Sequence, residues 1–160
     1  MQIMLSQSSL GLFLDPGLGK TSTWLGAFVT LKKMGYVDKM LVIAPLLPLY
    51  TTWPREIEKY AEFEHLTWTF LHGSDKEWAL ETEADVYLIN PEGLQWLTSR
   101  CDPSTIADVV CVDESTKFKN SGSKRFKAMR HAFPKFDRRW IGTGTPAPKG
   151  LEDLFGQVYI

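Results

Sequence analysis

Short apolar runs alternate with longer amphipathic stretches along this chain of 160 residues. The runs are rich in Val, Ile, Leu and aromatic residues and do not alternate strictly with polar ones, which is typical of strands buried on both faces. They cover residues 12–14, 40–44, 67–71, 86–89, 109–112 and 140–141. The amphipathic stretches predict helices over residues 20–34, 54–63, 75–80, 91–97 and 123–133.

This order of elements predicts an α/β fold. Strands that alternate with helices favour a mainly parallel central sheet with a layer of helices on each face, which makes three layers. The length suits a single domain over residues 1–160, and the sequence shows no internal repeat or linker. Ligands of such sheets bind beyond the carboxyl ends of the strands, so the residues after each run are the candidates for chemistry.

A glycine-rich loop joins the first run to the first predicted helix. Gly17 and Gly19 allow the backbone to turn its N–H groups toward phosphate oxygens, and the helix N-terminus adds partial positive charge. In this pattern Lys20 reaches the β- and γ-phosphates, and the Thr21 hydroxyl binds Mg²⁺. The predicted nucleotide-binding residues are Asp15, Pro16, Gly17, Leu18, Gly19, Lys20, Thr21 and Ser22.

The loop is a variant of the strict P-loop, because Leu14 holds the position of its first glycine. The alternative is a glycine turn followed by a chance Gly-Lys-Thr, and the strand before it and the helix after it disfavour that interpretation. Taken alone, the loop indicates only that a nucleoside triphosphate binds, and many classes of protein share that property.

Two adjacent acidic residues follow the fifth run. Asp113 would hold Mg²⁺ together with Thr21, and Glu114 would orient or deprotonate an attacking water. Acidic residues often end strands, so the pair is informative only because a phosphate loop precedes it. A nucleotide kinase would not usually need the adjacent glutamate. We therefore predict a triphosphatase site in which Lys20, Asp113 and Glu114 are the catalytic residues.

The sixth run leads into a segment of small residues, residues 142–146. Small hydroxyl side chains at a central strand end can lie under the γ-phosphate and respond to its loss. Thr143, Gly144 and Thr145 are the residues that we predict to couple hydrolysis to movement. The alternative is a plain glycine-rich turn, and the position after the Asp-Glu strand favours the coupling role.

Taken together, these segments resemble one family, the Swi/Snf-type DNA translocases of helicase superfamily two. Residues 15–21 resemble its nucleotide loop, Asp-Glu-Met-Gly-Leu-Gly-Lys-Thr, and residues 113–120 resemble its Asp-Glu-Ala-His box with a trailing Lys-Asn. Residues 143–146 resemble its Thr-Gly-Thr-Pro motif, and residues 151–154 continue the match. The short forms of the first two motifs, Asp-Pro-Gly-Leu-Gly-Lys-Thr and Asp-Glu-Ser-Thr, resemble those of the virus-encoded branch of the family.

Two further segments extend the resemblance over nearly the whole chain. Residues 41–45, followed by Trp53 and Glu56, resemble a strand and Trp-x-x-Glu helix of the family. Residues 88–94 resemble the segment that precedes the acidic box. The matches occur in the family's order along the chain, which makes the joint match specific.

The resemblance implies a RecA-like lobe that binds ATP and Mg²⁺ and tracks along double-stranded DNA. It places nucleic acid near two segments at the top of the sheet, where backbone amides and small polar groups would hold phosphates. The residues concerned are Ala44, Pro45, Leu46, Asn90 and Pro91.

The family motor has two RecA-like lobes, and the second supplies an arginine finger that related triphosphatases use to gain about 10³–10⁵ in rate. This chain reaches Ile160 where a first lobe should finish. We therefore expect the second lobe in a longer chain or in a separate polypeptide, and expect this lobe alone to be weak or inactive. The alternative is a single-lobe module that binds nucleic acid or protein without turnover.

Several positions depart from the family pattern. Pro16 stands where methionine is common, Thr116 replaces the box histidine, and Lys149 stands where asparagine is common. The upstream glutamine that reads adenine has no clear counterpart, since Gln2 and Gln7 lie too close to the loop. Thr116 and Lys149 favour the module without turnover.

Composition and charge bear on the partners of the protein and on its cellular compartment. The net charge of −1 gives no global nucleic-acid signature, although residues 117–139 are rich in Lys and Arg and form either a DNA-binding surface or a solvated helix face. The two cysteines match no disulfide or zinc pattern and are expected to be reduced. No membrane span or signal peptide is predicted, so we expect a cytoplasmic protein, in the host cytoplasm if virus-encoded.

Overall fold

The computed structural model describes residues 2–15, 17–114, 127 and 129–144. Six parallel strands form one sheet in the order β1-β6-β5-β2-β4-β3. The strands are β1 Ser9–Phe13, β2 Met40–Ile43, β3 Trp68–Phe70, β4 Val86–Ile89, β5 Val109–Asp113 and β6 Arg138–Thr143. The predicted α/β fold with a mainly parallel sheet is confirmed.

Helices cover both faces of this sheet. They are α1 Gln2–Ser6, α2 Lys20–Lys33, α3 Leu46–Lys59, α4 Lys76–Glu81 and α5 Leu94–Arg100. Successive residues of a strand point to opposite faces. Accordingly Val42 belongs to the core that α1, α2 and α3 cover, whereas Leu41 and Ile43 belong to the core beneath α4 and α5. The three predicted layers follow from this arrangement.

The depth of burial differs between central and edge strands. All four residues of β2 and of β4 are buried, as the unbroken apolar runs predicted. Along β1 exposed and partly buried residues alternate, and β3 is only partly buried. The expectation of burial on both faces therefore holds for the central strands and is wrong for the two edges.

Helix α3 begins eight residues before its predicted start at position 54. It starts at Leu46, and Pro54 lies inside it. An interior proline removes one backbone hydrogen bond, which is why the sequence favoured a later start. Leu49, Trp53 and Ile57 recur at intervals of four and are all buried, so packing against the sheet outweighs the local cost.

Both cysteines are free thiols, as expected. Burial raises the pKa of Cys101 and, more strongly, that of Cys111. In the part of the chain that the structure describes, none of the helices is long and apolar enough to cross a lipid bilayer.

Candidate active site

Three of the strand ends that carry candidate chemistry are neighbours in the sheet. Strand β6 lies between β1 and β5, with Phe13 paired with Thr143 and Asp113 paired with Gly142. Because all three strands run the same way, their carboxyl ends meet at one edge. The glycine loop, the two acids and Thr143 therefore lie together, although Gly17 and Thr143 are 126 positions apart in the chain (143 − 17).

The glycine loop uses two backbone conformations that favour glycine. Gly17 has φ 84° and Gly19 has φ 76°, and Gly19 caps the N-terminus of α2. The Ser22 and Thr23 hydroxyls both donate to the Gly19 carbonyl, at 3.0 and 2.8 Å. These contacts fix the first turn of α2, whose N-terminal N–H groups can then face an anion.

The Lys20 ammonium is bound by its own loop. Its Nζ donates to the carbonyl oxygens of Leu14 at 2.6 Å and Asp15 at 3.2 Å. The Thr21 side chain beside it is buried, with 8% of its surface exposed. Pro16, which completes the predicted nucleotide-binding set, lies outside the described residues.

Asp113 closes β5 and is partly buried. Its Oδ2 accepts a hydrogen bond from Trp53 Nε1 at 3.3 Å. Burial raises the pKa of this carboxyl, while the Trp53 hydrogen bond and the Lys20 charge oppose that rise. A divalent cation in contact with Asp113 would reverse the effect of burial, because it stabilises the ionised form.

Glu114 has φ 59°, in the left-handed region that non-glycine residues rarely adopt. Its Oε1 accepts a hydrogen bond from Thr143 Oγ1 at 2.6 Å, and Thr143 is fully buried. The strained backbone turns the glutamate toward the end of β6, where the predicted coupling segment begins. Gly144 follows Thr143 in the chain, and Thr145 lies outside the described residues.

The candidate residues line one open cleft of about 360 Å³. One wall is formed by the loop and the two acids, and the other by one face of α3. The lining residues are Gly17, Gly19, Lys20, Thr21, Ser22, Pro48, Thr52, Glu56, Lys59, Tyr60, Asp113 and Glu114. The cleft thus brings together the residues predicted for phosphate, metal and water.

The contribution of α3 was missed in the sequence. Pro48, Thr52 and Glu56 are spaced by four residues and so lie on one helical face. That spacing is visible in the sequence, but the helix was expected to begin only at position 54. A helix beginning at Leu46 would have revealed this wall of the cleft.

The donors in the cleft fit Mg²⁺. This ion prefers hard oxygen ligands, and it is usually held by one or two carboxylates together with substrate phosphates. Thr21 supplies a hydroxyl and Asp113 a carboxylate, and both line the same cleft. Among the described residues no group of three or more His, Cys, Asp and Glu could hold a metal ion. A site that offers one hydroxyl and one carboxylate is suited to a metal that arrives with a phosphate ligand.

The residues predicted for nucleic acid also lie together, at the ends of β2 and β4. The Ala44 N–H donates to the Ile89 carbonyl at 3.1 Å, which places residues 44–46 beside 90–91. Ala44, Asn90 and Pro91 are buried, and Asn90 Nδ2 donates to Glu92 Oε2 at 2.9 Å. Pro45 is partly buried, whereas Leu46 is 39% exposed. A ligand here would meet backbone and Leu46 rather than polar side chains.

Much of the basic segment of residues 117–139 lies outside the described residues, as do Thr116 and Lys149. Within its described part, Lys135 forms an ion pair with Asp102. That pair gives one of the basic side chains a partner within the domain.

Comparison with known proteins identifies the family of the chain. The profile of the SNF2-related domain family matches residues 4–159. The chain is 36% identical to protein p41 of Acyrthosiphon pisum secondary endosymbiont phage 1, over 89% of this chain and 33% of that protein. It is 30% identical to the ATP-dependent helicase fft1 of Schizosaccharomyces pombe, over 88% of this chain and 15% of fft1.

Solved structures lead to the same family. The SWI2/SNF2 ATPase core of Sulfolobus solfataricus in complex with double-stranded DNA superposes with a TM-score of 0.77 at 27% identity, covering 98% of this chain and 32% of that one. The same ATPase core domain in a second structure gives a TM-score of 0.72 at 27% identity, covering 98% and 31%. The chain spans at most about a third of each of these relatives. With its parallel sheet, its glycine loop and a family profile that covers almost its full length, the chain belongs to the SNF2-related domain family.

Proposed function

We propose that this chain is the ATP-binding and ATP-hydrolysing lobe of a DNA-dependent translocase of the Swi/Snf type. The observation that carries the proposal is the single cleft lined by Lys20, Thr21, Asp113 and Glu114. A phosphate loop without the acids would support binding alone. The acids beside it supply the carboxylates that metal-assisted hydrolysis requires.

Phosphate binding would replace contacts that the loop now makes with itself. Lys20 Nζ would leave the Leu14 and Asp15 carbonyls and bind phosphate oxygens. The N–H groups at the start of α2 would face the same phosphates and add the positive end of the helix dipole. The left-handed turns at Gly17 and Gly19 allow this close approach of backbone to ligand.

The Thr21 hydroxyl and the Asp113 carboxylate would hold Mg²⁺. When bound, the ion neutralises charge on the phosphates and favours phosphoryl transfer. Glu114 would accept a hydrogen bond, and then a proton, from the attacking water. The hydrogen bond from Thr143 fixes the orientation of this carboxylate, so the end of β6 would respond when the γ-phosphate is lost.

Binding of double-stranded DNA is part of the proposal, together with a second RecA-like lobe in the intact motor. The Sulfolobus relative is an ATPase core in complex with double-stranded DNA. In this chain residues 44–46 and 90–91 lie side by side, with the N-terminus of the 14-residue helix α3 among them. Backbone N–H groups at such a terminus bind phosphate without reading sequence, so the binding should be weakened by salt.

The test is ATP turnover by this chain, alone and in its full-length context, with and without duplex DNA. We expect turnover that DNA stimulates in the full-length protein and that Lys20→Ala abolishes. Lys33→Ala is the matched control, since Lys33 is exposed in the last turn of the same helix. Absence of ATP affinity both in this chain alone and in the full-length protein would overturn the proposal. ATP or DNA binding without turnover in the full-length protein would favour a binding module.

A further inference from the structure

Three tryptophans are fully buried in the core that α2 and α3 share with the sheet: Trp24, Trp53 and Trp140. Burying an indole N–H without a partner has a free-energy cost. Among the described residues the Nε1 atoms of Trp24 and Trp140 have no hydrogen-bond partner. Trp53 differs, because its Nε1 donates to Oδ2 of Asp113. The bonded indole is therefore the one directed at the candidate metal ligand.

The Trp53 indole is held in place by its neighbours. Its ring stacks on that of Trp24 with centroids 6.0 Å apart and planes 4° from parallel. The Trp24 ring in turn packs on the backbone of β6 at Gly142, where an added methyl carbon would lie 2.3 Å from Trp24 Cζ2. The donor thus lies on a rigid support that runs from α3 through α2 to the strand beside β5.

We propose that Trp53 is a positioning residue for the metal site: its indole N–H restricts the rotation of the Asp113 carboxylate and presents it to a divalent cation. The inference rests on the proposed function, because it assigns the cation to Asp113. Hydrogen bonds to metal ligands commonly change metal affinity by about 10–100-fold. Trp53 is not among the residues that line the cleft, so it acts through Asp113.

The first experiment replaces Trp53 by phenylalanine in the full-length protein. Trp53→Phe keeps an aromatic ring for stacking on Trp24 and removes the N–H donor. Binding of Mn²⁺ to the ADP complex is measured by electron paramagnetic resonance, and binding of ADP without metal is measured by calorimetry. We expect Mn²⁺ to bind about 10–100-fold more weakly, whereas ADP affinity without metal stays within about twofold.

Trp140→Phe is the matched control, because it removes the same atoms from the same core and leaves Asp113 untouched. We expect it to lower the thermal midpoint like Trp53→Phe while its Mn²⁺ affinity equals that of wild type. Equal Mn²⁺ affinities for wild type and Trp53→Phe would overturn the inference. Failure of the wild-type protein to bind ADP at all would instead overturn the proposed function, so the two failures are distinguishable.

A second measurement uses the wild-type protein and does not depend on whether Trp53→Phe folds. The indole N–H resonances of a nitrogen-15-labelled sample are assigned, with Trp24→Phe and Trp140→Phe as checks. Addition of Mg²⁺ to the ADP complex should shift the Trp53 signal more than those of Trp24 and Trp140. An unmoved Trp53 signal under saturating Mg²⁺ would contradict the inference.

Discussion

Thr143 Oγ1 donates a hydrogen bond of 2.6 Å to Glu114 Oε1, joining the end of β6 to the residue that follows β5. Thr143 is fully buried, and Glu114 adopts a left-handed backbone conformation, so both ends of the bond are restrained. A short bond to a carboxylate is charge-assisted and stronger than a neutral one. The pair is a direct contact between Glu114, the proposed catalytic base, and the proposed coupling segment.

Replacing Thr143 by valine removes the donor and keeps the shape. We expect turnover in the full-length protein to fall about tenfold or more, since positioned acid–base groups contribute about 10²–10⁴ in rate. ATP affinity should change little, because Thr143 is absent from the lining of the cleft. Steady-state kinetics and nucleotide binding separate the two effects. Thr143→Ser restores a hydroxyl, and a serine variant as slow as the valine variant would contradict the role of the bond.

The backbone of Glu114 predicts a conflict between stability and function. Glu114 has φ 59°, and this left-handed conformation costs a residue other than glycine about 1–2 kcal/mol in conformational free energy. Glu114→Gly and Glu114→Ala both lose the carboxylate, so both should lose turnover. The glycine variant should nevertheless resist urea better than the alanine variant, by about 1 kcal/mol in the free energy of unfolding. Equal unfolding free energies would show that the left-handed conformation is not strained.

Much of this site could be predicted from the sequence because its signals are local. The loop at Gly17 and Gly19 has the backbone conformations that its glycines suggested. Asp113 ends a buried strand and Glu114 follows it, as expected from the apolar run before them. The conformations that glycines and apolar runs indicate are determined mainly by residues close by in the chain. Such local patterns can be found in a single sequence.

The features of the fold and the site that could not be predicted depend on contacts between residues distant in the chain. Trp53 and Asp113 are 60 positions apart, and no local pattern indicates that an indole of α3 meets the end of β5. The early start of α3 has the same origin, since burial of Leu49 and Trp53 against the sheet overrides the effect of Pro54. The order of strands, with β6 between β1 and β5, was likewise fixed by packing and not by any segment alone.

Gly142 is expected to tolerate no larger side chain. An added methyl carbon would lie 2.3 Å from Trp24 Cζ2, which is too close for a normal contact, and 3.2 Å from the Leu12 carbonyl oxygen, which is a tight contact. Overpacking of this kind destabilises a core by about 1–3 kcal/mol. We therefore expect Gly142→Ala to lower the free energy of unfolding by that amount in urea titrations. Trp24→Phe makes room at one of the two contacts, so the double variant should lose less than the sum of the single variants. Additive losses would contradict a direct clash between Gly142 and Trp24.

Asp85 predicts how stability depends on pH. Burial raises its pKa, but hydrogen bonds from the Thr67 N–H at 2.7 Å and hydroxyl at 2.8 Å, together with Lys32 Nζ at 3.1 Å, outweigh burial and bring the pKa below its ordinary value. Since the pKa is lower in the folded than in the unfolded chain, the ionised form favours folding. This stability is present above the unfolded pKa, about 3.9 for aspartate, and is lost as the pH falls through the lower folded pKa.

Asp85→Asn tests this assignment. Near neutral pH the variant should be less stable by about 1–3 kcal/mol, because the hydrogen bonds to a charged acceptor and the ion pair with Lys32 are weakened. Urea unfolding from pH 7 down to pH 3 should then show a smaller acid-induced loss in the variant than in wild type. Asp38→Asn is the control, since its exposed carboxylate lies 3.9 Å from the same lysine. If wild type and Asp85→Asn lost the same unfolding free energy between pH 7 and pH 3, the acid sensitivity would belong to another carboxyl group.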